Sequence, residues 1–146
     1  MRSKIYHVLE SALLSIKDDE GNSIIQHVSV WNNQLAFAEE EQPFYTPAVF
    51  IEFSPINWKA QTRGVIDAEV DIALHFVTDS RMGKWSDSLE AFDLIDQVPS
   101  VLARLQNAGE KFTISPFTRI SSTSDHDFDE LQDNIEVYRT HIQKVI

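Results

Sequence analysis

The longest regular pattern in the chain runs from Arg63 to Thr78. Ile66, Ala68, Val70, Ile72, Leu74 and Phe76 recur at every second position, with Asp67, Glu69, Asp71, Ala73 and His75 between them. Successive side chains of a strand point to opposite faces, so this period predicts a long β-strand with one buried face and one wet or partner-facing face. Upstream, Ile5, Val8, Leu9, Ala12, Leu13 and Ile16 are spaced by threes and fours and predict an amphipathic helix over about Ser3 to Lys17. Asp18 to Asn22 ends it, with Gly21 and Asn22 both able to take positive φ. Ser23 to Trp31 reads as a short strand, turned by Asn32-Asn33, and Leu35 to Glu41 as either a short helical turn or a loop. Ala48 to Phe53 is apolar on both faces, the texture of a central or covered strand. Ser54 to Asn57 breaks it, Trp58 to Thr62 reads as a connection, and Gly64 marks a bend into the long strand.

Beyond the long strand, Asp79 to Lys84 is a loop, and Ser86 or Asp87 caps a helix whose apolar stripe is Leu89, Phe92, Ile95 and Val98. Pro99 stops or bends that helix, and a short helical piece follows, closed by Asn107-Ala108-Gly109. Lys111 to Asp125 holds a further strand, with Phe112, Ile114, Phe117 and Ile120 as its apolar positions. Glu130 to Lys144 reads as a last strand with a bulge near Val137 and Tyr138, a helix being the competing assignment. The expected fold is α+β. About four mostly antiparallel strands carry two helices on one face, in the order α-(β)-β-β-α-β-β.

A length of 146 residues, with 42% apolar and 24% charged positions, fits a single domain spanning 1–146 with one core. The 23 acids outweigh 12 bases, for a net charge of -11. Clustered Lys and Arg are what phosphates and anionic membranes select, and here they are scattered, so neither nucleic acid nor a membrane is an expected partner. There is no cysteine, which excludes disulfides and thiolate metal sites. The first residues lack the apolar core of a signal peptide, so a cytoplasmic setting, or packing into something assembled there, is expected.

Candidate chemistry is sparse. Asp125-His126-Asp127-Phe128-Asp129-Glu130 could bind a divalent cation, but it lacks EF-hand spacing and a turn glycine, and a solvated connection is the plainer reading. Asp67, Glu69 and Asp71 share one strand face at about 7 Å spacing. That makes a stripe rather than the cleft that paired catalytic carboxylates occupy. None of His7, His27, His75, His126 and His141 has a nucleophile motif beside it. Trp31, Trp58 and Trp85 lie in expected connections, as lids over the core or as interface anchors. No catalytic residue, cofactor or metal is expected. Asp67, Glu69, Asp71, His75 and the three tryptophans are the candidates for an interface or channel lining.

The layout resembles one known family. It is carried by the N-terminal helix, by His27-Val28-Ser29-Val30-Trp31-Asn32-Asn33-Gln34, and by the proline-led strand Pro47-Ala48-Val49-Phe50-Ile51-Glu52-Phe53. The long alternating strand ending Leu74-His75-Phe76-Val77-Thr78, then a helix and two strands, completes it. This is similar to the tail-terminator or tail-completion proteins of long-tailed phages and prophages, also described as minor tail or head–tail joining proteins. The resemblance rests on element order and strand texture across most of the chain. It implies a structural subunit without enzymatic activity that forms a ring with itself, typically a hexamer, caps the tail tube and meets the head. Tube and head-completion proteins would be its partners, the virion tail its location, and DNA only a passing cargo, which an acidic channel face would not retard. A small ligand- or metal-binding α+β domain with hydrolytic activity, using Asp125, His126, Asp127 and His75, is the alternative expectation.

Overall fold

The computed structural model describes residues 1–32, 44–60, 64–81, 85, 87–105, 107–109, 112–125 and 131–145, with the backbone alone at 60 and 107–109. The elements in order are α1 (Arg2–Leu14), β1 (His27–Val30), β2 (Ala48–Phe53), β3 (Asn57–Ala60), β4 (Val65–Asp79), α2 (Ser88–Ile95), α3 (Val98–Leu102), β5 (Asn107–Gly109), β6 (Phe112–Ile114), β7 (Thr118–Asp125) and β8 (Leu131–Val145).

The spine is the antiparallel pair β4 and β8, 15 residues each, in register from Val65 opposite Val145 to Asp79 opposite Leu131. Each spine strand is bordered on its outer side by two strands placed end to end. β2 and β3 border β4, and the chain between them is Ser54-Pro55-Ile56. β6 and β7 border β8, and the chain between them is Ser115-Pro116-Phe117. The same device makes both breaks. Proline has no N–H to give to a ladder. Each preceding serine instead donates its backbone N–H to the spine, Ser54 to the Asp71 carbonyl at 3.0 Å and Ser115 to the His141 carbonyl at 2.8 Å.

Alternation along β4 divides the two faces. Ala68, Val70, Ile72, Leu74 and Phe76 join Val49, Ile51, Tyr138 and Ile142 in the main core, against Ile5, Leu9 and Leu13 of α1, Leu94 and Ile95 of α2, and Val98 and Leu102 of α3. Burying each large apolar side chain of this set contributes about 1.5–3 kcal/mol. A smaller cluster on the opposite face joins Phe44, Ala48, Phe50, Val77 and Leu131, with Trp31 against it. β2 is apolar on both faces because Val49 and Ile51 serve the first cluster and Ala48 and Phe50 the second. The Tyr6 hydroxyl lies 3.1 Å from both the Glu10 carboxylate and the Val28 carbonyl, which ties α1 to β1.

Local signals set several boundaries. Asp18 accepts the backbone N–H groups of Glu20 and Asn22 at 2.9 Å each, and Gly21 closes that turn at φ +84°. Gly64 turns the chain into β4 at φ +79°. Asp87 caps α2, accepting the Leu89 N–H at 2.7 Å. Ser86 and Lys84 lie outside the described residues, as do Leu35 to Glu41, Gln34 and Arg63.

The expected four-stranded, mostly antiparallel sheet with two helices is corrected. The described residues form one mixed eight-stranded sheet with three helices, in the order β1-β2-β4-β8-β6-β5, with β3 added to β4 and β7 to β8. The excess comes from short pieces whose sequences carry little periodicity. Trp58 to Ala60 read as a connection and is part of β3, while Asn107 to Gly109 read as a helix stop and form β5. The expected single strand over Lys111 to Asp125 is two strands, cut at Ser115-Pro116. β1 pairs with β2 in parallel, which its short, half-polar sequence did not disclose. The irregularity expected in the last strand near Val137 and Tyr138 lies opposite those residues, between Arg119 and Ser121 of β7.

The face of α2 is also corrected. Ala91, Leu94 and Ile95 are buried, followed by Val98 of α3, whereas Leu89 is 70% and Phe92 43% exposed. The helix is turned so that its apolar stripe begins at Ala91. The two larger side chains stand out.

Candidate functional site

The face of the sheet opposite α1, α2 and α3 carries the candidates, because the odd-numbered residues of β4 point to it. At one end stands a ladder of opposite charges. Arg139 of β8 faces Asp71, donating from Nε at 2.8 Å and from Nη2 at 3.0 Å, and its Nε is 3.4 Å from Glu69. His141, two residues on, makes a close contact with Asp67. The cross-strand partners are Asp71 with Arg139 and Glu69 with His141, so the closest contacts run both straight and diagonally across the ladder. The hydrogen bond from Arg139, aided by its charge, lowers the Asp71 carboxyl from its ordinary value and outweighs the opposing effect of burial. Asp67 is buried, Glu69 is exposed and Asp71 is half-buried. The stripe expected to be acidic and wet is thus an alternation of both signs, with one member inside the fold.

Farther along β4 the same face closes over His75, which is only 5% exposed. Its Nδ1 is 3.2 Å from Asp133 Oδ2 on β8, and its Nε2 is 3.1 Å from Glu52 Oε1 on β2. The Trp31 indole is stacked on the imidazole. Burial works to lower the His75 pKa, but the hydrogen bonds and charges of Asp133 and Glu52 outweigh it and the net shift is upward. With both nitrogens facing carboxylates, the surroundings favour the doubly donating imidazolium form of the ring.

The other candidates lie apart. Trp58 on β3 is 49% exposed. Trp85 is half-buried against the main core. His7 is an exposed residue 3.7 Å from Glu10, and His27 packs by Phe44 and Phe50. Asp125 ends β7 opposite Asp133. His126, Asp127, Phe128, Asp129 and Glu130 lie outside the described residues. Among the described residues, no group of three His, Asp or Glu side chains is placed to hold a metal ion, and no helix is long and apolar enough to cross a membrane.

A second polar concavity lies on the helix-bearing face, between α2 and the β7–β8 pair. It is a groove of about 410 Å³, lined by Phe92, Ile95, Asp96, Arg119, Ser122 and Glu136 among others. Arg119 Nη1 is 3.3 Å from Asp96 Oδ1 and 3.8 Å from Glu136 Oε1, and the Ser122 hydroxyl donates to Glu136 in a close contact. Burial pushes the Glu136 carboxyl above its ordinary value, against the lowering effects of Ser122 and Arg119.

Sequence reasoning missed Glu52, Asp133, Arg139 and His141 as partners on the open face, and the groove altogether. Two signals were present. Glu52 is the lone charge in Ala48 to Phe53, and Arg139 and His141 alternate at the period of the acids they meet. Only the register of β4 on β8 turns that second signal into pairs. No protein-family model matches this chain, and no curated protein matches it.

Proposed function

We propose that the chain is a structural subunit of a phage-type tail, a terminator that assembles with itself into a ring, closes the tail tube and meets the head. The observation that carries this reading is the two-sidedness of the sheet. Helices cover one face, and the other presents Glu69, Asp71, Arg139 and His141 in a paired ladder at the surface. A ring subunit needs such a difference between its outer and lumenal sides. Charges paired on the protein neither hold nor strongly repel a passing polyanion, because the field of each carboxylate is cancelled nearby. A hexamer is the number that the family resemblance implies, with tube and head-completion proteins as its neighbours in the particle.

Light scattering and negative-stain imaging of the purified protein, alone and mixed with its tail tube protein, test this. Rings with a central hole are the expected result. A strict monomer at high concentration under both conditions overturns it.

A further inference from the structure

The groove beside α2 adjoins an open sheet edge, and the two have complementary character. β7 pairs with β8 along one side, and among the described residues no strand pairs with its other side. Its sequence, Thr-Arg-Ile-Ser-Ser-Thr-Ser-Asp, is short on the charge and bulk that usually protect an edge; the irregularity at Arg119–Ser121 interrupts only its first part. Apolar side chains stand out beside it: Phe92 of the groove at 43% and Ile120 of β7 itself at 42% exposure. Of the charged residues that line the groove, Asp96 and Glu136 are acids and Arg119 is the base, and Asp96 is the exposed acid of the two.

From this combination we infer that β7 and the α2 groove form a strand-addition site for an extended segment of another protein, one that alternates basic and apolar residues with small polar ones. Main-chain hydrogen bonds would come from the open edge of β7. Every second side chain of the added strand would then point to the helix-bearing face. There a leucine-sized residue meets Phe92, and a flanking Arg or Lys meets the exposed carboxylate of Asp96. The intervening side chains lie level with Ser121 and Thr123, which favour small polar neighbours. A second copy of this chain is a poor occupant on electrostatic grounds, because its net charge of -11 opposes an acidic groove. The inference does not depend on ring formation.

The probe is a fluorescently labelled peptide, acetyl-Thr-Arg-Thr-Leu-Thr-Arg-Thr-amide, with a counterpart in which Glu replaces both Arg. Anisotropy is expected to show saturable binding of the basic peptide and at least about tenfold weaker binding of the acidic one. Asp96→Lys and Phe92→Ala, both at exposed positions and checked for folding by circular dichroism, should each weaken the basic peptide about tenfold. Backbone amide signals of β7 should shift on binding while those of β1 stay in place. Equal affinity for the two peptides, or native affinity in both variants, overturns the proposal. So does self-association that excludes the peptide and disappears in Asp96→Lys, since the occupant is then a second copy.

Discussion

The Trp31 indole lies flat on the His75 imidazole, with ring centroids 3.8 Å apart and planes 2° from parallel. The stack closes the third side of a site whose other sides are the carboxylates of Asp133 and Glu52. A cationic imidazole is stabilised there both by the two anions and by the indole face. Charge, aromatic cover and burial converge on one side chain, and that makes the folded state sensitive to its proton.

The sign of that sensitivity follows from the upward shift. A group whose pKa is raised by folding binds its proton more tightly in the native state. Its stabilisation is complete below the ordinary value of 6.5 and is lost as pH climbs through the raised folded value. Urea-unfolding midpoints of the native protein should therefore fall across that range relative to those of His75→Gln, which has no proton to lose. Parallel pH curves for the two proteins would remove His75 as the source.

Trp31→Ala removes the cover and leaves the buried ion cluster open to water. A loss of about 1–3 kcal/mol in unfolding free energy is expected from the stacking and the lost apolar cover. The His75 titration followed by NMR should move in the same variant, whereas Trp58→Ala, at an exposed position on β3, should leave it unchanged.

The long strand was legible because its period of two runs without a break from Ile66 to Phe76. The even-numbered residues from Ala68 to Phe76 are all buried as the pattern requires. The odd-numbered face was not legible, because period two says that residues share a face and nothing about what lies beside them. Asp67 and Glu69 look equivalent in sequence, yet His141 and the neighbouring strands bury one and leave the other exposed. Leu89 and Phe92 fit a helical stripe as well as Leu94 does. What separates them is the tilt of α2 on the sheet, a tertiary property. The short strands β3 and β6 exist because the spine offers them hydrogen-bonding edges, and β5 because β6 offers it one, and three or four residues leave no periodic trace of that.

That difference between Asp67 and Glu69 is measurable. Reversing Glu69 alone, to Lys, places a like charge near Arg139 at the surface and should change unfolding free energy by no more than about 0.5 kcal/mol. It should still disturb ring assembly if the ladder lines the channel. Asp67→Lys puts a cation beside His141 in a buried position, and a loss of several kcal/mol or failure to fold is expected. Reversing Asp67, Glu69 and Asp71 together should therefore fail through Asp67. Comparing melting temperatures of the two single variants tests this, and equal tolerance of both would mean that Asp67 is not enclosed as described.

The two sides of the apolar pattern give the sharpest contrast. Leu74 is fully buried among residues of β2, β4 and the helices, whereas Leu89 is 70% exposed on α2. Leu74→Asp buries a carboxylate among the apolar side chains of the main core, and the protein should not reach a cooperative fold. Val70→Asp, on the same face of the same strand, should behave alike. Leu89→Asp removes an apolar side chain already in water and adds an acid in the first turn of α2, where the helix dipole favours it. Its unfolding free energy should match or slightly exceed the native value. Soluble yield, near-ultraviolet circular dichroism and urea melts of the three variants decide the matter. If Leu89→Asp unfolds the protein as Leu74→Asp does, α2 is turned the other way, with Leu89 and Phe92 facing the core.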